Sequence, residues 1–471
     1  MKKQTKIIAT ISDKRCDVEF LKTLFEEGMN VVRLNTAHQS HEDALKVIRN
    51  VRKVSEKIAL LLDTKGPEIR TVDLTNEFYL KEGDTLRVKG KNSDTPEEGV
   101  LYVSYPNFVR DLEVGNRILV DDGELELLVI EKTDEYLVAE AKNEGPIKDR
   151  KSINVPGVSI SLPSLSPKDR EFIQFAIEQD LDFIAHSFVR KKEDVMEIQE
   201  ILDAKNSPIK IIAKIENQEG VDNIDEILDH VYGIMVARGD LAIEIPAERI
   251  PVIQRMIVKK CIESKKPVII ATQMLHTMIN NPRPTRAEVS DIANAIYNRT
   301  DAIMLSGETA YGDYPVEAVR TMTNVAQEVE KALDPDVDQN LVRINNEVTA
   351  VLARAAVKAS TQLPIKAVVS DTLTGRTCRY LAAFRGKLPV YAMCYNKRVM
   401  RELALSYGVE GYYREALDSR DEFVKEALYT LMDKHYFTSD DQVLILGGSF
   451  GPMKGVSFME ISKVKDLTHK V

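Results

Sequence analysis

A chain of 471 residues exceeds one ordinary hydrophobic core, and a prior of roughly 150 residues per domain divides it into two to four units. Hydrophobic residues make up 44% and charged residues 29%, which allows buried cores beneath a solvated surface. Lys plus Arg number 64 against 74 Asp plus Glu, a net charge of -10 without a long basic block, and this excludes nucleic acid as the expected partner.

The opening "MKKQTKIIATISDKRC" carries charge but no apolar run of signal length, and no later run is long enough to span a bilayer, so no membrane association is expected. Cys16, Cys261, Cys378 and Cys394 lie far apart and form no CxxC, which argues against a zinc site or a disulfide framework and for a reducing, cytoplasmic location.

Short apolar runs then recur: "TKIIATI" from Thr5, "MNVVRLN" from Met29, "IALLLDT" from Ile58, "FIAHSF" from Phe183, "KIIAKIE" from Lys210, "GIMVARG" from Gly233, "PVIIATQ" from Pro267 and "DAIMLSG" from Asp301. Amphipathic segments such as "DVEFLKTLFEEG" and "VDNIDEILDHV" separate most of them. Continuous hydrophobicity implies strands covered on both faces, and eight such units predict a (β/α)8 TIM barrel. The spacing breaks between Thr64 and Phe183. There "EFYLKEGDTLRVKG", "GNRILVDDGELELLVIEKTDEYLVAEA" and "RKSINVPG" read as short strands of a small β domain inserted after the third barrel strand. Beyond the acidic "DPDVDQN" near Asp334, "IKAVVSD", "LPVYAMC" and "QVLILGG" read as strands of a C-terminal α/β domain. The expected division is barrel over residues 1–66 and 158–335, insert over 67–157, and C-terminal domain over 340–471.

Barrel sites stand at the C-terminal ends of the strands. Those ends carry Arg33 and Asn35; Asp63, Thr64 and Lys65; Ser187; Lys214 and Glu216; Arg238 and Asp240; Thr272 and Gln273; Ser306 and Glu308. Glu216 and Asp240, with hydroxyls and no His or Cys cluster, suit a hard cation such as Mg2+. Arg33, Arg70 and Lys214 suit a phosphorylated, carboxylated substrate, and the combination is equipment for phosphoryl transfer. "ARGDLAIE" begins a helix after the sixth strand, so the amides of Gly239 and Asp240 are candidates for holding an anion. Taken singly, these residues have blander readings. Lys214 with Glu216 reads as a strand-end salt bridge, Asp240 as an N-cap, Arg33 and Arg70 as surface groups, and Thr272 as a satisfied core hydroxyl.

"LDTKGPEIRT", "KIIAKIENQEG", "MVARGDLAIE", "VIIATQML", "PTRAEVSDIANAI" and "DAIMLSGETAYGDYP", in this order, resemble the signatures of the pyruvate kinase family. The resemblance implies transfer of the phosphoryl group of phosphoenolpyruvate to ADP, giving ATP and pyruvate. It implies Glu216 and Asp240 as Mg2+ ligands, Lys214 as the cation on the phosphoryl in flight, Arg33 on substrate phosphate, and Gly239, Asp240 and Thr272 on the substrate carboxylate. Thr272 also falls near the path of the enolate proton. Asn35, His38, Arg70 and Lys151 match nucleotide-contacting positions, with Lys151 on an inserted β-barrel that closes as a lid. Asn35, Asp63 and Thr64 match K+ ligands. In "SDTLTGRTCRYLA", Thr372, Thr374, Gly375, Arg376 and Thr377 match a sugar-phosphate effector loop, for which an ordinary capped turn is the alternative. A homotetramer is implied as well.

Several positions depart from the family pattern. Ala37 in "RLNTAHQ" stands where the family has a serine that helps bind K+, while Glu68 resembles the K+-requiring branch. Ala242 replaces a usual glycine and would crowd the anion-binding turn if that turn needs positive φ. Ser12, Asp13, His276, Asn298 and Arg299 also differ from common family residues, and none removes an expected catalytic group. Two rival readings are another Mg2+-dependent barrel enzyme, such as an aldolase, and a catalytically silent homologue. The first needs no inserted lid, and the second would have lost Lys214, Glu216, Asp240 or Thr272, all of which are present.

Overall fold

In the computed structural model, eight strands close into a parallel barrel: Lys6–Thr10, Val31–Asn35, Ala59–Asp63, Phe183–His186, Lys210–Ile215, Gly233–Ala237, Val268–Ala271 and Ala302–Leu305. The residues described are 3–74, 76–91, 97, 99–158, 160–333, 347–415, 417, 419–448 and 456–468. The acidic stretch around Asp334 and most of the loop after Gly448 lie outside them. Each barrel strand is apolar on both faces for a reason of packing. Ile8, Val31, Ala59, Leu61, Phe183, Ala185, Ile212 and Met235 fill the interior, while Ile7, Val32, Leu60, Ile184 and Ile211 pack against the surrounding helices. Capping boxes at Ser40 with Asp43, Ser166 with Asp169, and Thr285 with Glu288 begin three of those helices by satisfying amides that a helix start leaves open.

The insert follows the third barrel strand and is a second closed barrel of seven short strands, with its own core around Leu86, Val88, Leu101, Val103, Phe108, Ile118 and Val120. Two of its strands, Ile69–Val72 and Val100–Val103, were not expected, because four residues without clear alternation do not stand out from a loop. The C-terminal sheet has five strands where three were expected. The additions are Val409–Tyr413, interrupted by Gly411, and the antiparallel edge strand Val456–Lys463, whose half-exposed residues give no apolar run. Among the described residues no helix is long and apolar enough to cross a membrane.

The C-terminal domain is bolted to the floor of the barrel, at the strands' N-terminal ends. Arg385 forks onto Asp301 at 2.9 and 2.6 Å, and the same carboxylate accepts the Val268 amide of the seventh strand and the Tyr407 amide of the C-terminal domain, both at 3.1 Å. Arg401 Nε donates to Asp182 at 2.5 Å, and Asp182 also accepts the Leu60 amide at 2.8 Å. Each carboxylate thus ties barrel backbone and C-terminal arginine to one buried point. Arg385→Met would leave Asp301, itself 3% exposed, without its cation, and the expected loss is roughly 3–5 kcal/mol of unfolding free energy in a urea titration. A loss below about 1 kcal/mol would put the pair in the class of surface bridges.

Candidate active site

Side chains alternate along a strand, so the interior residues fix which positions reach the barrel mouth. Val31 faces inward, and Arg33 and Asn35 follow on the same face. Leu61 leads to Asp63, Ala185 to Ser187, and Ile212 to Lys214 and Glu216. Their convergence is measurable at Lys214 Nζ, which lies 3.0 Å from Asp63 Oδ1, 3.0 Å from Glu216 Oε1 and 2.7 Å from Ser187 Oγ. Arg33 Nε donates to the other oxygen of Asp63 at 2.5 Å, and Arg33 Nη1 donates to Thr10 Oγ1 at 3.0 Å. Ser187 Oγ donates to the Thr64 carbonyl at 2.6 Å, and Thr64 Oγ1 accepts the Ser187 amide at 3.0 Å.

The charges at this centre do not balance evenly. Burial alone would push the Asp63 carboxyl up, but Arg33 and Lys214 together hold it below its ordinary value. Burial alone would push the Lys214 ammonium down, and Asp63 with Glu216 holds it above instead. Glu216 has only a share of Lys214. Burial, reinforced by Asp240, pushes its carboxyl up to about 7, although its Oε2 also accepts the Phe188 amide at 2.7 Å. Burial likewise raises Asp240, against the pull of Lys214 and a hydrogen bond with Glu216. The Glu216 and Asp240 pair is therefore short of positive charge, which is the electrostatic condition for a cation to bind there.

Asp240 lies on the short helix Arg238–Glu244 that follows the sixth strand. The Gly239 amide of that helix donates to Thr272 Oγ1 at 2.8 Å, and Thr272 Oγ1 donates to the Ala271 carbonyl at 2.7 Å. Thr272 and Gln273 both occupy the left-handed region, with φ of 68° and 56°. Arg238 does not face the ring. It pairs with Asp291 at 2.7 Å and donates to the Thr272 carbonyl at 2.7 Å, and so supports the strained turn. Ala242 sits inside the helix without positive φ, so the crowding envisaged from its sequence position has no backbone basis.

The nucleotide-side candidates are more dispersed. Asn35 Oδ1 accepts the Ala37 amide at 3.2 Å, and His38 is exposed in the turn after the second strand. Arg70 Nη2 pairs with Glu68 at 2.6 Å, and Arg70 Nη1 donates to the Arg150 carbonyl at 2.6 Å. Lys151 Nζ pairs with Asp121 at 2.6 Å. Next to it, the charge of Asp122 adds to the larger effect of burial in raising the Asp240 carboxyl. Asp121 and Asp122 have φ of 55° and 56°, in a "DDG" whose sequence signals only a turn between strands. In the C-terminal domain, Thr372 Oγ1 accepts the Gly375 amide at 2.9 Å, Gly375 has φ of 76°, Thr377 is buried, and Arg376 pairs with Glu347. The loop's first hydroxyl is thus used by the loop itself.

A parallel barrel with a lysine, an arginine and paired carboxylates at its mouth, and a second small barrel inserted after its third strand, defines an enzyme equipped for phosphoryl transfer. Residues 2–319 match the family model "Pyruvate kinase, barrel domain", and residues 350–462 match "Pyruvate kinase, alpha/beta domain". The chain is 50% identical to the pyruvate kinase of Borreliella burgdorferi over 98% of both chains. It is 44% identical to that of Geobacillus stearothermophilus, covering 100% of this chain and 82% of the relative. A crystal structure of a pyruvate kinase from Cryptosporidium parvum superposes with a TM-score of 0.93 at 36% identity, covering 98% of this chain and 96% of that one. The chain belongs to the pyruvate kinase family. It is accordingly a glycolytic phosphotransferase that converts phosphoenolpyruvate and ADP to pyruvate and ATP.

One residue beside the site went unremarked in the sequence. His186 ends the fourth strand on its outer face, fully buried, and among the described residues neither ring nitrogen has a hydrogen-bond partner. Burial lowers its pKa from 6.5 to about 4, against the opposing pull of Asp194, Asp169 and Glu197 and with a small push from Lys214. The folded protein therefore holds a neutral ring while the unfolded chain takes up a proton. Stability is full above about pH 6.5 and falls by roughly 3 kcal/mol as pH drops toward about 4. Urea midpoints across that range measure the slope, which His186→Leu is expected to flatten.

Proposed function

We propose that Lys214, Arg33 and Thr272 act on phosphoenolpyruvate at the barrel mouth, that Glu216 and Asp240 hold Mg2+, and that the insert closes over them as a lid. The observation that carries this reading is the charge imbalance: a lysine kept protonated between two acids, beside a buried carboxylate pair lacking its share of cation. Mg2+ commonly takes one or two protein carboxylates and completes its shell with water and phosphate oxygens. That agrees with the donor set, because among the described residues no three acids, histidines or cysteines gather as a self-sufficient cage. Bound there, Mg2+ would neutralise charge on the phosphoryl oxygens.

The chain's own groups supply the rest. Lys214, fixed by Asp63, Glu216 and Ser187, presents an ammonium that cannot easily lose its proton, and it stabilises the phosphoryl group as charge spreads over its oxygens. Arg33, locked on Asp63 and Thr10, adds a second cation to the phosphate. Gly239, Asp240 and Thr272 receive the substrate carboxylate, and the Thr272 hydroxyl stands where the enolate takes up its proton. Substrate binding would have to share Thr272 Oγ1 with the Gly239 amide. Asn35, His38, Arg70 and Lys151 receive ADP as residues 67–157 close, and closure removes water from the transfer. Asn35, Asp63 and Thr64 hold K+, with water or a main-chain carbonyl replacing the hydroxyl that Ala37 lacks. The family reading also supports a cytoplasmic homotetramer and a sugar phosphate at Thr372, Thr374, Gly375, Arg376 and Thr377.

Pyruvate formation from phosphoenolpyruvate and ADP with Mg2+ tests the assignment. Lys214→Met is expected to lower kcat by ~100-fold or more, the scale of losing one transition-state charge donor. A folded variant with undiminished turnover would refute the role. Replacing K+ by a large organic cation is expected to lower the wild-type rate, and equal rates would remove K+ from the proposal.

A further inference from the structure

Two connectors join the insert to the barrel, and both meet the short turn that follows the fourth barrel strand, Phe183–His186. On the way out, the amides of Lys65 and Gly66 donate to Asp169 Oδ1 at 2.9 and 3.4 Å. Gly66, with φ of 74°, lies so close to the turn that a Cβ added there would stand 2.8 Å from the Phe188 ring and 2.9 Å from Ser187 Cβ. On the way back, Arg190 holds the chain. Its Nη1 donates to the Ile160 carbonyl at 2.8 Å and its Nη2 to the Leu162 carbonyl at 2.9 Å. The side chains of Ile160 and Leu162 pack against the insert's own core.

Arg190 is itself fixed to the barrel. Its amide donates to Asp194 Oδ2 at 2.9 Å, its guanidinium pairs with the same carboxylate at 3.2 Å, and its carbonyl accepts Asn223 Nδ2 at 2.9 Å. One planar fork therefore spans two bodies with separate cores, and its bonds to the neutral carbonyls are strengthened by its charge. The neighbouring residues of the turn serve the barrel mouth. Ser187 Oγ accepts Lys214 Nζ at 2.7 Å, and the amide of Phe188, a residue with φ of 55°, donates to Glu216 Oε2 at 2.7 Å. The guanidinium grips the insert's connector within three residues of the groups that hold Lys214 and Glu216, so a shift at one end of the turn is a shift at the other.

We propose that Arg190 is a positioning residue for the phosphoryl transfer: it sets the angle of the insert over the barrel mouth, and through its turn it makes that angle follow what Lys214 and Glu216 bind. This rests on the reading above that the insert closes as a lid. A ligand that draws Lys214 or Glu216 toward itself pulls on the Ser187 hydroxyl or the Phe188 amide, and Arg190 passes the movement to Ile160 and Leu162. Lys151, carried on the insert, comes to the mouth with it.

The test places nitroxide labels at two exposed positions, Val114→Cys on the insert and Lys22→Cys on the barrel helix Val18–Glu26, and reads their separation by double electron–electron resonance. The native cysteines Cys16, Cys261, Cys378 and Cys394 are buried and escape the label. The full chain is measured alone and with Mg2+ and phosphoenolpyruvate. With Arg190 in place, the ligands are expected to move the separation to a new, narrow distribution. Arg190→Met is expected to show a broad distribution that the ligands do not narrow. Arg190→Lys keeps a charge beside Asp194 but not the planar fork, so it is expected to respond only in part, and it carries the test if the Met variant does not fold. In Arg190→Met, kcat/KM for ADP is expected to fall on the order of 100-fold, the scale of a misplacement of about 1 Å, while calorimetric affinity for phosphoenolpyruvate with Mg2+ falls far less. A ligand response in both variants equal to that of the parent, or equal losses for ADP and phosphoenolpyruvate, would overturn the proposal. A parent chain whose separation ignores the ligands would overturn the lid reading and this proposal with it, so the two failures are told apart.

Discussion

The ammonium of Lys214 is shared between Asp63 and Glu216, and the remaining geometry of the barrel mouth follows from how that single charge is divided. Asp63 receives a second cation, Arg33, and settles as a fully ionised carboxylate. Glu216 receives none, and Asp240 beside it makes the shortage worse. A buried ion pair is seldom retained for stability, since apolar residues of similar volume would serve as well. Its presence at the end of a strand whose middle is Ile and Ala is what the proposed handling of a charged substrate and metal would call for. The low-dielectric walls supplied by Ile212, Ala185 and Leu61 are part of the device, because they strengthen each interaction that water would screen.

The two ends of the barrel use carboxylates in opposite ways. On the floor, Asp182 and Asp301 are saturated: each accepts a strand amide and an arginine from the C-terminal domain. These groups have no valence left for a ligand, and their work is to fix one domain against another. At the mouth Glu216 and Asp240 are left short of positive charge and the backbone is strained, as at Thr272. Strain and unsatisfied charge persist only where surrounding packing over-determines them, and the saturated floor provides that rigidity.

The inserted barrel adds an electrostatic element of its own. Its hairpin at Asp121 and Asp122 pairs one acid with Lys151 and aims the other's field at Asp240. Two consecutive aspartates with positive φ are tolerated because short polar side chains can bond locally in that conformation, as Asp122 does when it accepts Ser152 Oγ at 2.7 Å. The insert has a core of its own, so it can move against the barrel without exposing apolar surface from within.

The eight barrel strands, the inserted domain and the third α/β unit were legible in the sequence because doubly covered strands leave continuous apolar runs, and because periodicity is local. The family signatures made Lys214, Glu216, Asp240 and Thr272 candidates for the same reason: each is embedded in a long contiguous motif. Short strands such as Val100–Val103 and the half-exposed edge Val456–Lys463 escaped, since four residues or a polar face carry no period. Only the tertiary structure decided how one lysine's charge is apportioned between two acids, that Arg238 turns away to Asp291, and that Asp122 of the insert raises the Asp240 carboxyl. These depend on distances between residues far apart in the chain, and charge–charge energies vary too steeply with distance and burial to be read from order along it.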